Sequence, residues 1–268
     1  MSIKAAYLVP HPPIILPEVG RGEEAKIAAT HNAYLNAARD ISKIKPDLII
    51  ILSPHARAFA DYIEIYGGEE ISGNMSRFRA PSLKITAQND LDFAIELARL
   101  SEEKGVRAGI MNLTRNEGLD HGAFIPLYYI NKYYTNYKII LCGISGLSEK
   151  IHFEFGKLIK ETVNSLNRNA VLIASGDLSH RLKEDGPYGF NPDGSVFDKR
   201  IIDIIEKADL KAFLEIEEIL CDNAAQCALK PLQTLAGALD GDMTETKVLS
   251  CEGPFGVGYS VAVFNVLS

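Results

Sequence analysis

Features that would assign this 268-residue chain to several large protein classes are missing from it. No apolar run reaches the roughly 20 residues of a membrane-spanning helix. The N-terminal segment carries one lysine and an apolar run that prolines break early, which is not typical of a signal peptide. We therefore expect a cytoplasmic protein without a membrane partner. The chain has 28 basic residues and 35 acidic residues, which gives a net charge of −7. This charge disfavours nucleic acid as a partner, because binding to phosphates requires a basic face on the protein.

Cysteine is scarce and shows no pattern. The four cysteines form no CxxC pair and have no zinc-type spacing, so we expect free thiols in a reducing compartment. They are Cys142, Cys221, Cys227 and Cys251. The chain also lacks a GxGxxG motif after a strand, a P-loop, an HExxH motif and a GxSxG motif. The common signatures of dinucleotide binding, phosphate binding, zinc proteolysis and serine hydrolysis are therefore excluded.

The chain does contain short apolar runs that alternate with amphipathic segments, and its hydrophobic fraction of 47% is enough for a sizeable core. The run at 47–52 is rich in isoleucine and is typical of a strand buried on both faces. Pro54 ends the run, and His55 stands at its carboxyl end. Similar strands are predicted at 3–9, 138–144 and 169–175, with helices at 23–44, 90–104 and 148–167. This alternation predicts a single α/β domain over residues 1–268, with a mainly parallel central sheet flanked by helices on both faces.

Other segments are less regular. Residues 69–89 predict a loop with one strand at 82–86, and residues 181–195 predict a long loop rich in glycine and proline. A helix is expected over 224–239, broken by Pro231. The C-terminal segments 246–251 and 257–266 predict two strands joined in a hairpin.

Histidines are placed unevenly along this pattern. His11, His55 and His180 each follow a predicted strand, and His121 precedes a helix. Because the carboxyl ends of parallel strands share one rim of a sheet, we expect the first three to converge there. Converging imidazoles are typical of metal ligation and acid–base catalysis. The two remaining histidines fall inside predicted helices and are expected to be ordinary residues; they are His31 and His152.

A carboxylate would complete a facial triad with two of these imidazoles, as in non-haem Fe(II) oxygenases. Asp120, Asp177 and Glu252 are the candidates, and the two aspartates could instead orient an imidazole. Cys251 is also a candidate ligand. Because side chains alternate along a strand, Cys251 and Glu252 are not expected to face the metal together. The residues alone leave this choice open. Ser179 beside His180 is a weak hydrolase pair, because adjacent residues rarely have the geometry of nucleophile and base.

Five short motifs resemble the LigB-type, class III extradiol ring-cleavage dioxygenase superfamily. They occur in order as VPHPP at 9–13, SPH at 53–55, LDHG at 119–122, SGDLSH at 175–180 and CEGPFG at 251–256. The opening PHPPIILPEVGRGEE is most similar to the LigB-like branch associated with Memo and AMMECR-type proteins. The resemblance spans nearly the whole chain, from His11 to Gly258.

The resemblance implies a single-domain α/β fold with Fe(II) at one edge of the sheet, zinc or another divalent metal being alternatives. Matched position by position, His11 and His55 are the histidine ligands and Glu252 the carboxylate ligand. His180 matches the acid–base histidine, and His121 matches a second active-site histidine that contacts substrate or dioxygen. In the Memo branch a cysteine can replace the carboxylate, and Glu252 at that place favours the oxygenase-type triad.

The function implied is that of a non-haem Fe(II) extradiol dioxygenase, an oxidoreductase of aromatic metabolism that cleaves a catechol-type ring with O2. The alternative is a Memo-like metal-binding protein with a different reaction, or a peptide- or protein-binding role, and no ring cleavage. By analogy we expect a homo-oligomer, a dimer. A closed, aromatic-sized pocket walled by residues 181–195 would favour the dioxygenase, and an open groove the alternative.

Overall fold

A computed structural model describes residues 2–111 and 118–267 of the chain. The sequence of residues 114–119 predicts a loop, and residues 114–117 lie outside the described ranges. The strands are β1 (Ile3–Val9), β2 (Leu48–Leu52), β3 (Ile63–Glu64), β4 (Glu70–Met75), β5 (Ala80–Gln88), β6 (Ala108–Gly109), β7 (Lys138–Cys142), β8 (Ala170–Ser175), β9 (Thr244–Glu252) and β10 (Tyr259–Val266). The α-helices are α1 (Pro17–Gly20), α2 (Ala28–Ile44), α3 (Leu91–Glu103), α4 (His121–Ile130), α5 (Glu149–Ser165), α6 (Pro192–Glu206), α7 (Glu218–Ala224) and α8 (Leu229–Ala238).

Six of these strands form the central sheet, in the order β7-β2-β8-β1-β10-β9. The four strands from β7 to β1 are parallel, and β10 and β9 continue the sheet in antiparallel fashion as a hairpin. The predicted parallel strands and the predicted C-terminal hairpin are both confirmed. The carboxyl ends of β2, β8 and β1 consequently lie side by side at one rim.

Strand β2 shows why the sheet is covered on both faces. Leu48, Ile50 and Leu52 contribute to one core, and Ile49 and Ile51 to the other. All five are essentially inaccessible to solvent, as expected for a strand in a parallel sheet with helices on both sides. Helices α2 and α4 pack on one face, and α3, α5, α6 and α8 pack on the other. The predicted α/β layering is therefore confirmed.

The segment 69–89 is not mainly a loop: β4 and β5 pair as an antiparallel hairpin outside the central sheet. A 3-10 turn at Ser76–Phe78 and a left-handed Arg79 connect the two strands. Only Ile71, Met75, Ala80 and Ile85 in the hairpin are buried, so the apolar alternation that signals a strand is weak. The strand predicted at 82–86 lies within β5, and the prediction of a loop for the rest of the segment was wrong for this reason.

The predicted helix 224–239 is also divided differently. Helix α7 ends at Ala224, the left-handed Ala225 turns the chain, and α8 begins at Leu229. Pro231 does not break α8, because it lies in the first turn, where backbone N–H groups have no partner within the helix. Residues 225–228 therefore form a turn that the sequence analysis assigned to a helix.

No helix in the described ranges combines the length and the apolar character that crossing a bilayer requires.

Candidate metal centre

The rim of the parallel strands brings together two of the predicted histidine ligands. His11 follows β1 and is buried, and His55 follows β2 and is exposed. Their Nε2 atoms lie 3.0 Å apart, and their rings meet edge to face with centroids 4.7 Å apart. The predicted convergence at this rim follows from strand order, because only β8 separates β1 from β2.

Cys227, from the turn between α7 and α8, is the third member of this group. Its Sγ lies 3.6 Å from His11 Nε2, and one ligand atom from each of the three residues lies within 4.8 Å of the others. The Asp177 backbone N–H donates to Cys227 Sγ, and the Cys227 N–H donates to the Asp177 carbonyl. Gly176 allows this approach, because a Cβ there would collide with the backbone of Ala228.

The three residues fit a bound transition-metal ion. Around a tetrahedral ion with bonds of about 2.1 Å to imidazole nitrogen and about 2.3 Å to sulfur, two nitrogens lie about 3.4 Å apart and a nitrogen and a sulfur about 3.6 Å apart. The observed 3.0 Å and 3.6 Å are close to these separations. Two imidazoles and a thiolate suit zinc, copper and iron. We refer to His11, His55 and Cys227 as the metal triad.

The orientation of His11 is fixed by a chain of hydrogen bonds that begins at a proline. Pro126 has no N–H, so the Gly122 carbonyl lacks its usual donor in α4. The Ser175 hydroxyl donates to this carbonyl over 2.6 Å, and its oxygen must therefore accept from His11 Nδ1, 2.8 Å away. His11 consequently carries its proton on Nδ1. Its Nε2 lone pair is free to bind a metal between His11, His55 and Cys227.

Burial sets the protonation of the triad. It lowers the pKa of His11 well below its usual range, with His55 and His180 as further causes, so the ring is neutral at pH 7 and ready to bind metal. Burial also raises the pKa of the Cys227 thiol, and Asp177 raises it further. An uncompensated thiolate would be costly at this place, and a bound metal cation would supply the compensating charge.

His121 and His180 flank the metal triad. The His121 ring lies 4.1 Å from the His55 ring and 5.3 Å from the His11 ring between centroids. Burial, followed by the charges of His55 and His11, lowers the pKa of His121 to about 3. Burial also lowers the pKa of His180, which Asp177 partly offsets, and Tyr188 stacks on this ring at 5.0 Å. Both rings are thus neutral bases at pH 7.

Glu252 is not a member of the triad group. Its Oε1 accepts two hydrogen bonds of 2.6 Å from Thr30, one from the backbone N–H and one from the hydroxyl. Thr30 lies in the first turn of α2, whose N-cap Ile27 provides no side-chain acceptor. Glu252 therefore satisfies a free N–H at the positive end of that helix. The sequence-based prediction of Glu252 as a ligand would require its carboxylate to leave Thr30.

The other candidates have structural partners. Asp177 Oδ1 accepts from the His11 backbone N–H over 2.7 Å, and Asp120 Oδ1 accepts from the Ser53 hydroxyl and caps α4. Both aspartates thus support residues of the site. Cys251 is exposed on β9 and lies outside the triad group. The remaining residues of interest bond within the fold: Ser179 to the Ala224 carbonyl, His31 to Tyr129, and His152 to Ser145 and Ser148.

Sequence reasoning missed Cys227 because residues 225–228 were assigned to a helix. A cysteine inside a helix, with no second cysteine or histidine at ligand spacing, gives no metal signal. The four cysteines are free, as predicted. The proximity of Cys227 to His11 depends on the contact between its turn and Asp177, which no local pattern encodes.

A cavity of about 940 Å³ opens beside His55 and His121. The hairpin of β4 and β5 forms one wall, with Met75, Phe78 and Ile85 among its lining residues. A closed pocket walled by residues 181–195 was the feature that would favour the dioxygenase over the alternative, and these residues do not line this cavity. Their contribution to the site is Tyr188, which is largely exposed where it covers His180.

Comparisons with known proteins agree with this architecture. Residues 5–262 match the model of the LigB family, described as the catalytic LigB subunit of aromatic ring-opening dioxygenase. "Protein CA_C1420" of Clostridium acetobutylicum is 42% identical over the whole chain, which spans 58% of that protein. The 2-aminophenol 1,6-dioxygenase beta subunit of a Pseudomonas species is 26% identical over 67% of the chain and 63% of its own length.

Two further similarities are more distant. A MEMO1 family protein of Sulfolobus acidocaldarius is 21% identical over 82% of the chain and 68% of its own length. The crystal structure of the uncharacterized protein JW3007 from Escherichia coli K12 superposes with a TM-score of 0.66 at 17% identity, covering 97% of this chain and 99% of that one, which shows a shared fold. Because the family match covers nearly the whole chain, and a relative is 42% identical along all of it, the protein belongs to the LigB family.

Proposed function

We propose that this protein is a metal-dependent oxidoreductase of the extradiol dioxygenase type, with His11, His55 and Cys227 as its metal ligands. The observation that carries the proposal is the convergence of these three ligand atoms within 4.8 Å, beside a cavity large enough for an aromatic substrate. A dioxygenase subunit among the relatives supports the reaction class. The substrates proposed are a small aromatic diol, or an aminophenol, and O2.

When bound, the metal would supply a Lewis acid for the two adjacent oxygens or the oxygen and nitrogen of the substrate, and a path for electrons to O2. His180 is neutral at pH 7 and accepts a hydroxyl proton from the substrate, with Asp177 favouring the protonated ring. His121 lies against His55 and stabilises negative charge that develops on oxygen. Tyr188 stacks on the face of the His180 ring and restricts its rotation.

The thiolate supports a second candidate, a Memo-like metal-binding protein that does not cleave rings. The sequence predicted the carboxylate of Glu252 as the third ligand of a dioxygenase. In the structure the third ligand group near His11 and His55 is the thiol of Cys227. A thiolate is a softer ligand than a carboxylate and favours copper and zinc as well as iron. The MEMO1 family relative supports this candidate.

The test is an anaerobic preparation loaded in turn with Fe(II), Zn(II) and Cu(I). Fe(II)-loaded protein exposed to O2 and a panel of catechols and 2-aminophenols should produce a yellow ring-opened product and consume one O2 per ring. The His180→Gln variant should bind metal normally and lose at least about 100-fold in turnover, because general acid–base catalysis contributes about 10²–10⁴-fold. Stoichiometric metal binding without turnover of any compound in the panel would contradict the dioxygenase and favour the Memo-like metal-binding protein.

A further inference from the structure

The cavity beside His55 and His121 is larger than a single ring needs. Its volume of about 940 Å³ lies near the upper end of the range of about 300–1,000 Å³ for small-molecule sites. His55 of the metal triad and His121 line it together with residues of the hairpin of β4 and β5. A ligand that fills the cavity would therefore contact both these histidines and the hairpin.

Among the described residues, three cationic side chains line the cavity, and they are not equivalent. Arg57 pairs with Glu64 at 3.6 Å, so these charges offset each other. Arg77 and Lys84 lie on the hairpin, and neither has a carboxylate within ion-pair distance in the described part of the chain. Asp120, the other acidic residue among the described lining residues, accepts a hydrogen bond from the Ser53 hydroxyl.

The hairpin wall thus carries two positive charges in a protein whose net charge is −7. Both side chains line the cavity. A guanidinium presents a planar fork that matches a carboxylate or phosphate, and an ammonium adds a point charge beside it.

Phe78 is the hairpin residue that contacts His121 in the cavity. Its ring meets the His121 ring edge to face, with centroids 5.2 Å apart, and it follows Arg77 directly in the chain. An aromatic ligand that approaches the metal triad can pack on Phe78 and His121, and a substituent of that ring would then point towards Arg77 and Lys84.

We infer that the cavity binds an aromatic ligand that carries an anionic group, a carboxylate or a phosphate, on a short chain directed at Arg77 and Lys84. This inference rests on the proposed function for the placement of the ring near the metal. It adds a specificity determinant that is separate from the metal triad.

The experiment compares matched ligands by titration calorimetry. The first pair is 3-(3,4-dihydroxyphenyl)propanoate and its carboxamide, which differ in charge, tested on metal-loaded protein. The second set is 3-phenylpropanoate, its carboxamide and phenyl phosphate, tested on metal-free protein. We expect the anion to bind at least about fivefold more tightly than the amide in each set, with a preference that shrinks from about 0.02 M to about 0.5 M salt.

The double variant Arg77→Gln, Lys84→Gln should remove this preference. Arg79→Gln is the matched control, because Arg79 is an exposed cation of the same hairpin that does not line the cavity, and it should retain the preference. Equal affinity for acid and amide in the wild type, or an unchanged preference in the double variant, would overturn the inference. Charge preference in the second set without metal-dependent binding of the diols would instead contradict the proposed function alone. Stronger binding of phenyl phosphate than of the carboxylate would identify phosphate as the preferred group.

Discussion

The hydrogen-bond chain from Pro126 to His11 yields a prediction whose size can be worked from the structure. Ser175→Ala removes the donor to the Gly122 carbonyl and the acceptor for His11 Nδ1–H. Each buried group left without a partner costs about 1–3 kcal/mol, so we expect the loss of both partners to lower the free energy of unfolding by about 2–6 kcal/mol. His11 also loses the contact that fixes its tautomer, and metal affinity should fall about 10- to 100-fold, as when an outer partner of a ligand histidine is removed.

The assay is competition for Zn(II) against a chromophoric chelator, together with urea unfolding of the metal-free protein. Ser260→Ala is the matched control, because Ser260 is a buried serine of the same sheet that donates to a backbone carbonyl, that of Ser250. It should lose stability and retain zinc affinity. Zinc affinity of Ser175→Ala within about twofold of the wild type would correspond to a loss of less than about 0.5 kcal/mol in binding free energy. That result would contradict the role of Ser175 in orienting His11.

Three further predictions concern the surroundings of the site. Glu252→Ala should destabilise the protein by about 1–2 kcal/mol in urea unfolding, because α2 loses an acceptor, and should leave zinc stoichiometry unchanged; loss of the metal would restore Glu252 as a ligand. Burial raises the pKa of Asp198 to about 7, so its carboxyl favours folding at low pH, and that contribution is lost as pH rises from about 4 to about 7. Asp198→Asn should therefore remove roughly 2 kcal/mol of the stability difference between about pH 5 and about pH 8, and identical pH profiles for both proteins would contradict this. Gly176→Ala should displace the turn that carries Cys227 and weaken zinc binding at least about tenfold in the same chelator assay, whereas normal affinity would show that the turn adapts.

The sequence was sufficient for the parts of the fold that depend on local pattern. Continuous apolar runs predicted the parallel strands, and the residue after each run predicted what stands at the rim. His11 and His55 were found in this way, because strand ends bring distant residues together by a general rule. The remaining condition, that β2, β8 and β1 are neighbours, came from the structure.

Cys227 could not be predicted by the same reasoning. It follows no strand, and the turn that presents it depends on a left-handed Ala225 and on backbone contacts with Asp177. Glu252 was one of several candidates from its place at the end of a strand, and it was predicted as the ligand because it matches a family motif. Its bonds to Thr30 show another use for a carboxylate at that place, the capping of a helix that lacks its own cap.

The hairpin of β4 and β5 was missed for a related reason. Its strands are mostly exposed, and so the apolar alternation that reports a strand is faint. The exposure that hid these strands from sequence analysis also leaves Arg77 and Lys84 facing the cavity. Cys227, Arg77 and Lys84 therefore lie on elements that periodicity describes least well.

The most direct test of the metal triad is the absorption spectrum of the Co(II)-loaded protein. A thiolate ligand produces an intense near-ultraviolet charge-transfer band that carboxylate and imidazole ligands do not. We predict this band in the wild type and in Glu252→Ala, and its loss in Cys227→Ser. A wild-type spectrum without the band, or a band that persists in Cys227→Ser, would contradict the assignment of Cys227 as the third ligand.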